Sequence, residues 1–207
     1  MHQPFDASVA GRTARTALAR GRTGERDWAL EAVRPDDEAS RTKEVPVMAY
    51  EISRREVPDQ PIVSIRERMA AADLPAFCGR SFGELYGHLQ LLGVPPTGEP
   101  FVLYHAFGPD DIDAEACVPF TGDITASGRI TARVLPAATV VETLHIGPYD
   151  ELPNAYAALS GWIAQNGLEP VWPVRERYLN EPGPDVPPTA YRTVIAMPIA
   201  EVAVPAR

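Results

Sequence analysis

Apolar positions between residues 140 and 182 spell out strand, helix and strand in turn. The short apolar run 140–146 ends at Gly147-Pro148, a pair that punctuates regular structure. Leu152, Tyr156, Leu159 and Ile163 recur at spacings of four, three and four, which gathers them into one stripe of an amphipathic helix. The helix is expected to stop at Asn166-Gly167, where glycine takes the left-handed conformation that closes a C-terminus. Residues 174–179 then alternate as a strand does, with Val174, Glu176 and Tyr178 on one face and Arg175, Arg177 and Leu179 on the other.

The same grammar runs upstream. Residues 49–57 and 61–68 read as strands, the second alternating Ile62, Ser64 and Arg66 with Val63, Ile65 and Glu67. A loop containing Phe77 is expected over 70–79. Ser81, with Glu84 three residues on, has the form of a capping box opening a helix whose stripe is Phe82, Leu85, Leu89 and Leu92 and whose end is Gly93. Strands follow at 98–105 and 115–120, separated by an acidic turn at 108–113. Residues 129–135 and 140–145 are expected to form a hairpin through Pro136-Ala137-Ala138. A loop holding Pro182, Pro184, Pro187 and Pro188 leads to a last strand at 191–199 and a loose end.

Aligning Gly93 with Gly167 brings Phe82 onto Tyr156, Leu85 onto Leu159, Leu89 onto Ile163, Val102 onto Glu176 and Tyr104 onto Tyr178. This reads as an internal duplication. The expected fold is therefore α+β, with duplicated strand-helix-strand-strand modules in one concave antiparallel sheet and two main helices packed on one face. The opposite face is left uncovered. A cavity is expected near the pseudo-twofold axis.

His145, Gly147-Pro148-Tyr149, Leu152, Tyr156, Leu159, Trp162, Asn166-Gly167, Glu176, Tyr178 and Pro182 together resemble the second half of the GyrI-like, or bacterial-regulator effector-binding, domain family. The resemblance covers roughly 48–199. It implies a domain that binds small molecules, found alone or fused behind MerR- and AraC-type DNA-binding segments, with one glutamate at the floor of a cavity walled by aromatic rings. Glu176 matches that glutamate. Many members carry an acid after the threonine matching Thr193, where this chain has Val194, so any role of that acid does not carry over.

Residues 1–47 carry two aromatics, Phe5 and Trp28, and no sustained periodicity, so they read as a disordered N-terminal extension. A short helix over 25–33 is the one element suggested there. Residues 48–207 are expected to form the effector-binding domain that the resemblance implies, with repeats at about 49–120 and 129–199. The formal charge of −9 belongs to this part alone: it holds eleven arginines, no lysine and twenty acids, whereas 1–47 is neutral. An acidic surface repels phosphate backbones, so no direct nucleic-acid partner is expected. With no apolar run long enough to cross a bilayer and no signal-peptide pattern, a cytoplasmic protein without a membrane partner is expected. Cys78 and Cys117 match no metal or redox spacing and read as core thiols.

Glu176 is the residue on which chemistry would turn. On alternation alone it reads as an exposed acid paired with an arginine across the strand; the resemblance turns the reading to a cavity floor, with Tyr104 and Tyr178 able to donate hydroxyls. Trp172, Phe77 and Tyr149 fall on expected loops or turns and are candidates for the rim. Tyr156, Trp162 and Phe82, at helical spacing, read as core, and His145 as structural. The expected ligand is a lipophilic or cationic small molecule, with no cofactor and no metal. Two other readings stand beside an effector sensor or sequestering protein. One is a hydrolase of cyclopropane-bearing compounds using Glu176 and Tyr178; the other is an interaction module for a regulator or gyrase, both as the resemblance implies.

Overall fold

The computed structural model describes residues 50–108, 111–180, 183 and 185–201, and the expectations for 1–47, Pro182, Pro184 and 202–207 lie outside them. Two corners organise the sheet. Strand β1 (Ile52–Val57) passes into β2 (Gln60–Met69) across Pro58-Asp59, and β5 (Thr131–Leu135) into β6 (Ala138–Ile146) across Pro136-Ala137. Connections this short ordinarily close hairpins, but the favoured hairpin turns need Asn-Gly, Asp-Gly or a glycine, which neither corner has. Both open instead. β1 pairs antiparallel with β6, and β5 pairs with β2, so the hairpin expected between 129–135 and 140–145 is corrected to an exchange of edge strands between the two repeats. The corners meet where the Ala137 N–H donates to the Asp59 carboxylate at 2.6 Å.

Helix α1 (Leu74–Leu92) follows β2 through a single 3-10 turn at Ala71–Asp73. The loop expected at 70–79 is therefore mostly helix, and Ser81 is a buried mid-helix residue rather than a cap. Pro75 fits the first turn, where its missing N–H costs nothing. Gly79 costs about 0.5–1 kcal/mol inside a helix, less than the roughly 1.5–3 kcal/mol from burying Phe77. Burial wins. Gly93 closes the helix at φ 69°, as the sequence suggests.

Strands β3 (Phe101–Ala106) and β4 (Ile112–Pro119) complete the first repeat, β4 taking in Asp113 from the expected acidic turn. In the second repeat α2 (Leu152–Gln165) is followed by the short β7 (Leu168–Pro170), then β8 (Val174–Tyr178) and β9 (Arg192–Glu201). The strand order is β1-β6-β9-β8-β3-β4-β2-β5, with β7 on β9. This curled half-barrel sheet reads the same from either end when each strand is replaced by its counterpart in the other repeat. The pseudo-twofold axis passes between β3 and β8, where Val102 stands opposite Glu176.

Both helices cover one face. Phe77, Phe82, Leu85 and Leu89 of α1 pack on Val63, Val102, Ala114 and Ala116, and Leu159 and Ile163 of α2 pack on Val141, Val174, Ile195 and Met197. The other face carries a smaller cluster of Ile62, Phe101, Leu103 and Cys117. No helix among the described residues is long and apolar enough to cross a membrane.

Candidate ligand-binding site

Because β8 alternates, Val174, Glu176 and Tyr178 point to the helix-covered face while Arg175 and Arg177 point to the open one. Glu176 is 5% exposed, in the central layer between β3 and β9. Three tyrosines from three elements meet it. The hydroxyl of Tyr156 on α2 donates to Oε1 at 2.6 Å, that of Tyr178 to Oε2 at 3.0 Å, and that of Tyr104 on β3 to Oε2 at 3.4 Å. Tyr104 and Tyr178 hydroxyls lie 3.4 Å apart.

Burial pushes the Glu176 carboxyl above the ordinary carboxylate range, against the opposing pull of the three hydroxyls. Burial, with the charge of Glu176, also raises the hydroxyls of Tyr104, Tyr156 and Tyr178, and pushes the Cys78 thiol up to about 12. These phenols thus stay protonated and act as donors. None of the ion pairs among the described residues involves Glu176. Among the described residues the acid's hydrogen-bond partners are all neutral.

Tyr149 lies in the 3-10 turn Tyr149–Glu151 before α2, its ring edge-on to Tyr178 at 6.1 Å between centroids and tilted against Tyr191 at 5.1 Å. Tyr149, Tyr156 and Tyr178 are half-buried, whereas the acid itself is buried. His145 anchors the turn beneath Tyr149. Its Nε2–H donates to the Pro148 carbonyl at 3.1 Å, leaving Nδ1 to accept the Tyr50 hydroxyl at 2.9 Å. Between them Gly147 has φ 147°, and a Cβ there would stand 3.2 Å from His145 Nε2 and 3.3 Å from Glu151 Oε2. Gly147→Ala is expected to cost about 1–3 kcal/mol in denaturant unfolding; unchanged stability would mean that the turn adapts freely.

The structure therefore brings together Glu176, Tyr178 and Tyr104 and adds Tyr149 through Tyr178. It separates the other two candidates. Phe77 is fully buried on α1, because 70–79 is helix rather than loop, and so belongs to the core and not to a rim. Trp172 is 40% exposed and lies beside Arg175 and Arg177 on the face away from Glu176. The uncovered face thus does not hold the acid, which sits under the helices. Tyr156, read as core, makes the shortest bond to it. One signal could have marked it: Tyr156 replaces Phe82, and Glu176 replaces Val102, at matched positions of the same repeat. Val194 stands opposite Arg177 on the open face, so the missing family acid leaves the cluster around Glu176 untouched. Cys78 and Cys117 are free and buried, and among the described residues no group of three His, Cys, Asp or Glu could hold a metal ion.

A duplicated half-barrel sheet carrying two helices on one face is the architecture of a small-molecule-binding domain. Residues 50–200 match the family model of the GyrI-like small molecule binding domain, and the chain belongs to that family. It is similar to the EcmrR C-terminal domain, with a TM-score of 0.62 at 27% identity over 75% of this chain and 100% of that one. Against EcmrR in its DNA complex the TM-score is 0.66 at 27% identity, and the match covers 75% of this chain but spans only 59% of that longer chain. A hydrolase from Listeria innocua (TM-score 0.55, 12% identity, 72% of this chain and 92% of that one) shares the fold. So does SAV2435 bound to tetraphenylphosphonium (TM-score 0.51, 18% identity, 72% and 94%). No curated protein sequence matches the chain.

Proposed function

We propose that this domain binds lipophilic small molecules, cationic ones included, at the tyrosine cluster around Glu176, and serves as an effector sensor or sequestering protein of the bacterial cytoplasm. The observation that carries the reading is a carboxylate 5% exposed, held by three hydroxyls and by no cation among the described residues. An ionised carboxylate removed from water costs several kcal/mol unless a countercharge or full hydrogen bonding offsets it. A bound cation supplies the countercharge, and each tyrosine ring face adds about 0.5–2 kcal/mol. A cation wrapped in apolar groups suits the site because it carries little hydration to lose. Since Glu176 is covered, binding requires side chains around it to move aside.

Tetraphenylphosphonium is the natural probe, being the compound that the structural neighbour SAV2435 holds. Calorimetric titration is expected to give saturable binding of tetraphenylphosphonium and much weaker binding of tetraphenylborate, which has the same shape and the opposite charge. Equal binding of the two ions, or no saturation by the cation, would overturn the reading.

A second reading is favoured by one contact, the Tyr178 hydroxyl 3.0 Å from Glu176 Oε2 beside a carboxyl whose affinity for protons is raised. Such a pair could exchange protons with water and a strained electrophile in a hydrolase. Incubation of cyclopropane-bearing compounds with wild type and Glu176→Gln, followed by mass spectrometry, decides it: hydrolysis lost in the variant supports catalysis, and equal conversion removes it.

A further inference from the structure

The reverse of β8 presents a different chemistry. On the open face a groove of about 220 Å3 is lined by Leu103, Leu135, Val140, Trp172 and Val194 together with Arg175 and Arg177. The face is apolar enough to hold a hydrocarbon body, yet it is built around two guanidinium groups in a chain whose formal charge is −9. That conjunction calls for an account.

Neither arginine has a close ion pair among the described residues. Arg175 spends one N–H on Gln60 Oε1 at 3.2 Å and lies over the Phe101 ring at 4.3 Å, and none of the described ion pairs includes it. Arg177 approaches Glu142 only at 3.9 Å, and its Nε is buried without a hydrogen-bond partner. Glu142 is the acid facing the groove, and it is already bonded to Arg55 at 2.8 Å. The groove lining sets Arg175 and Arg177 against Glu142, a surplus of one positive charge, and Glu142 is shared with Arg55 outside the lining. A guanidinium offers five donors in a planar fork that matches a carboxylate. Burial, with the neighbouring Arg177, pulls Arg175 below the usual guanidinium range despite the opposing influence of Cys117 and Glu142.

We propose that this groove is a second binding site, for a small apolar carboxylate such as a medium-chain acyl or aryl acid, with the carboxylate on Arg175 and Arg177 and the hydrocarbon against Leu103, Val140 and Trp172. The volume lies below the roughly 300–1,000 Å3 of drug-sized pockets, which limits the occupant to a short body. The two faces of one strand thus present opposite charges to ligands of opposite sign. This site does not depend on the reading of Glu176.

Octanoate and octyltrimethylammonium, which share a chain and differ in head group, test the proposal by calorimetry in the Glu176→Gln background, where the acid of the other site is gone. Octanoate is expected to saturate one site, and the cation to bind at least tenfold more weakly. Arg175→Met and Arg177→Met, with circular dichroism confirming their folds, should each weaken octanoate at least tenfold, while Glu176→Gln alone leaves it as in wild type. Equal affinities for the two head groups, no saturation, octanoate binding that survives both arginine variants, or octanoate binding lost with Glu176 would each overturn the proposal. Should an arginine variant fail to fold, the head-group comparison decides alone.

Discussion

Glu176→Gln is expected to weaken tetraphenylphosphonium binding by about a hundredfold and to raise the melting temperature at pH 7. The binding loss follows from charge. A unit charge about 5 Å from a bound cation, at an effective dielectric near 20, contributes about 3 kcal/mol, which is somewhat over a hundredfold. The stability gain follows from the same burial. The carboxyl of Glu176 is pushed above the ordinary carboxylate range in the folded chain, so the fold binds this proton more tightly than the unfolded chain does. Its contribution to stability is complete below the unfolded value of 4.5 and is lost as pH rises through the higher native value. At pH 7 the buried acid is a burden that glutamine lifts, with the hydrogen bonds to Tyr104, Tyr156 and Tyr178 still available in altered polarity. Thermal melts of both proteins between pH 4 and 8 check this: the gap between them should widen with pH. A variant that melts lower than wild type at pH 7, or binds the cation as tightly, contradicts the role given to Glu176.

Glu115→Ala should do the reverse and destabilise the domain by about 3 kcal/mol, roughly 6–12 °C for a chain of this size. Glu115 is 4% exposed on the open face. Its Oε2 accepts from His105 Nε2 at 2.8 Å and from Arg133 at 2.8 Å, while Oε1 accepts twice more from Arg133 at 2.9 and 3.2 Å. Burial alone would raise this carboxyl, but hydrogen bonds from His105, Ser64 and Arg133 bring it down to about 2. Its stabilisation is therefore present above the unfolded value of 4.5 and is lost as pH falls towards 2. The figure sits at the low end of the range for broken buried pairs because Arg133 is partly exposed and can turn to water. Urea unfolding at pH 7 measures the loss, and a repeat at pH 3 should show a smaller difference. Two buried acids of one sheet thus bend the stability curve in opposite directions. The one with arginine and histidine partners supports the fold, and the one with tyrosines alone is held at the fold's expense, as a site awaiting a cation would be.

How much of this was legible along the chain depended on the range of the interaction. The stripes Leu85 with Leu89 and Leu159 with Ile163, the glycine stops at 93 and 167, and the alternation of 174–179 rest on neighbours within a few residues. The match of the two halves follows from those same local patterns. The start of α1 was obscured because Gly79 is a poor helix former, and only the packing of Phe77 and Cys78 against the sheet outweighs it. Tyr156 passed for core because helical spacing reveals a buried stripe but not what lies opposite its hydroxyl.

The chain by itself determined the two repeats, their helices and the opposed faces of Glu176 and its flanking arginines, since each follows from local periodicity and backbone geometry. Tertiary structure alone decided that β1 and β5 exchange partners, that the acid lies beneath the helices within a ring of tyrosines, and that Trp172 joins the arginines behind it. The reason is that strand pairing and side-chain convergence join residues far apart in the chain, such as Tyr50 with His145 and Gln60 with Arg175. Such contacts are selected by the free energy of the whole sheet and leave no mark on either segment read alone.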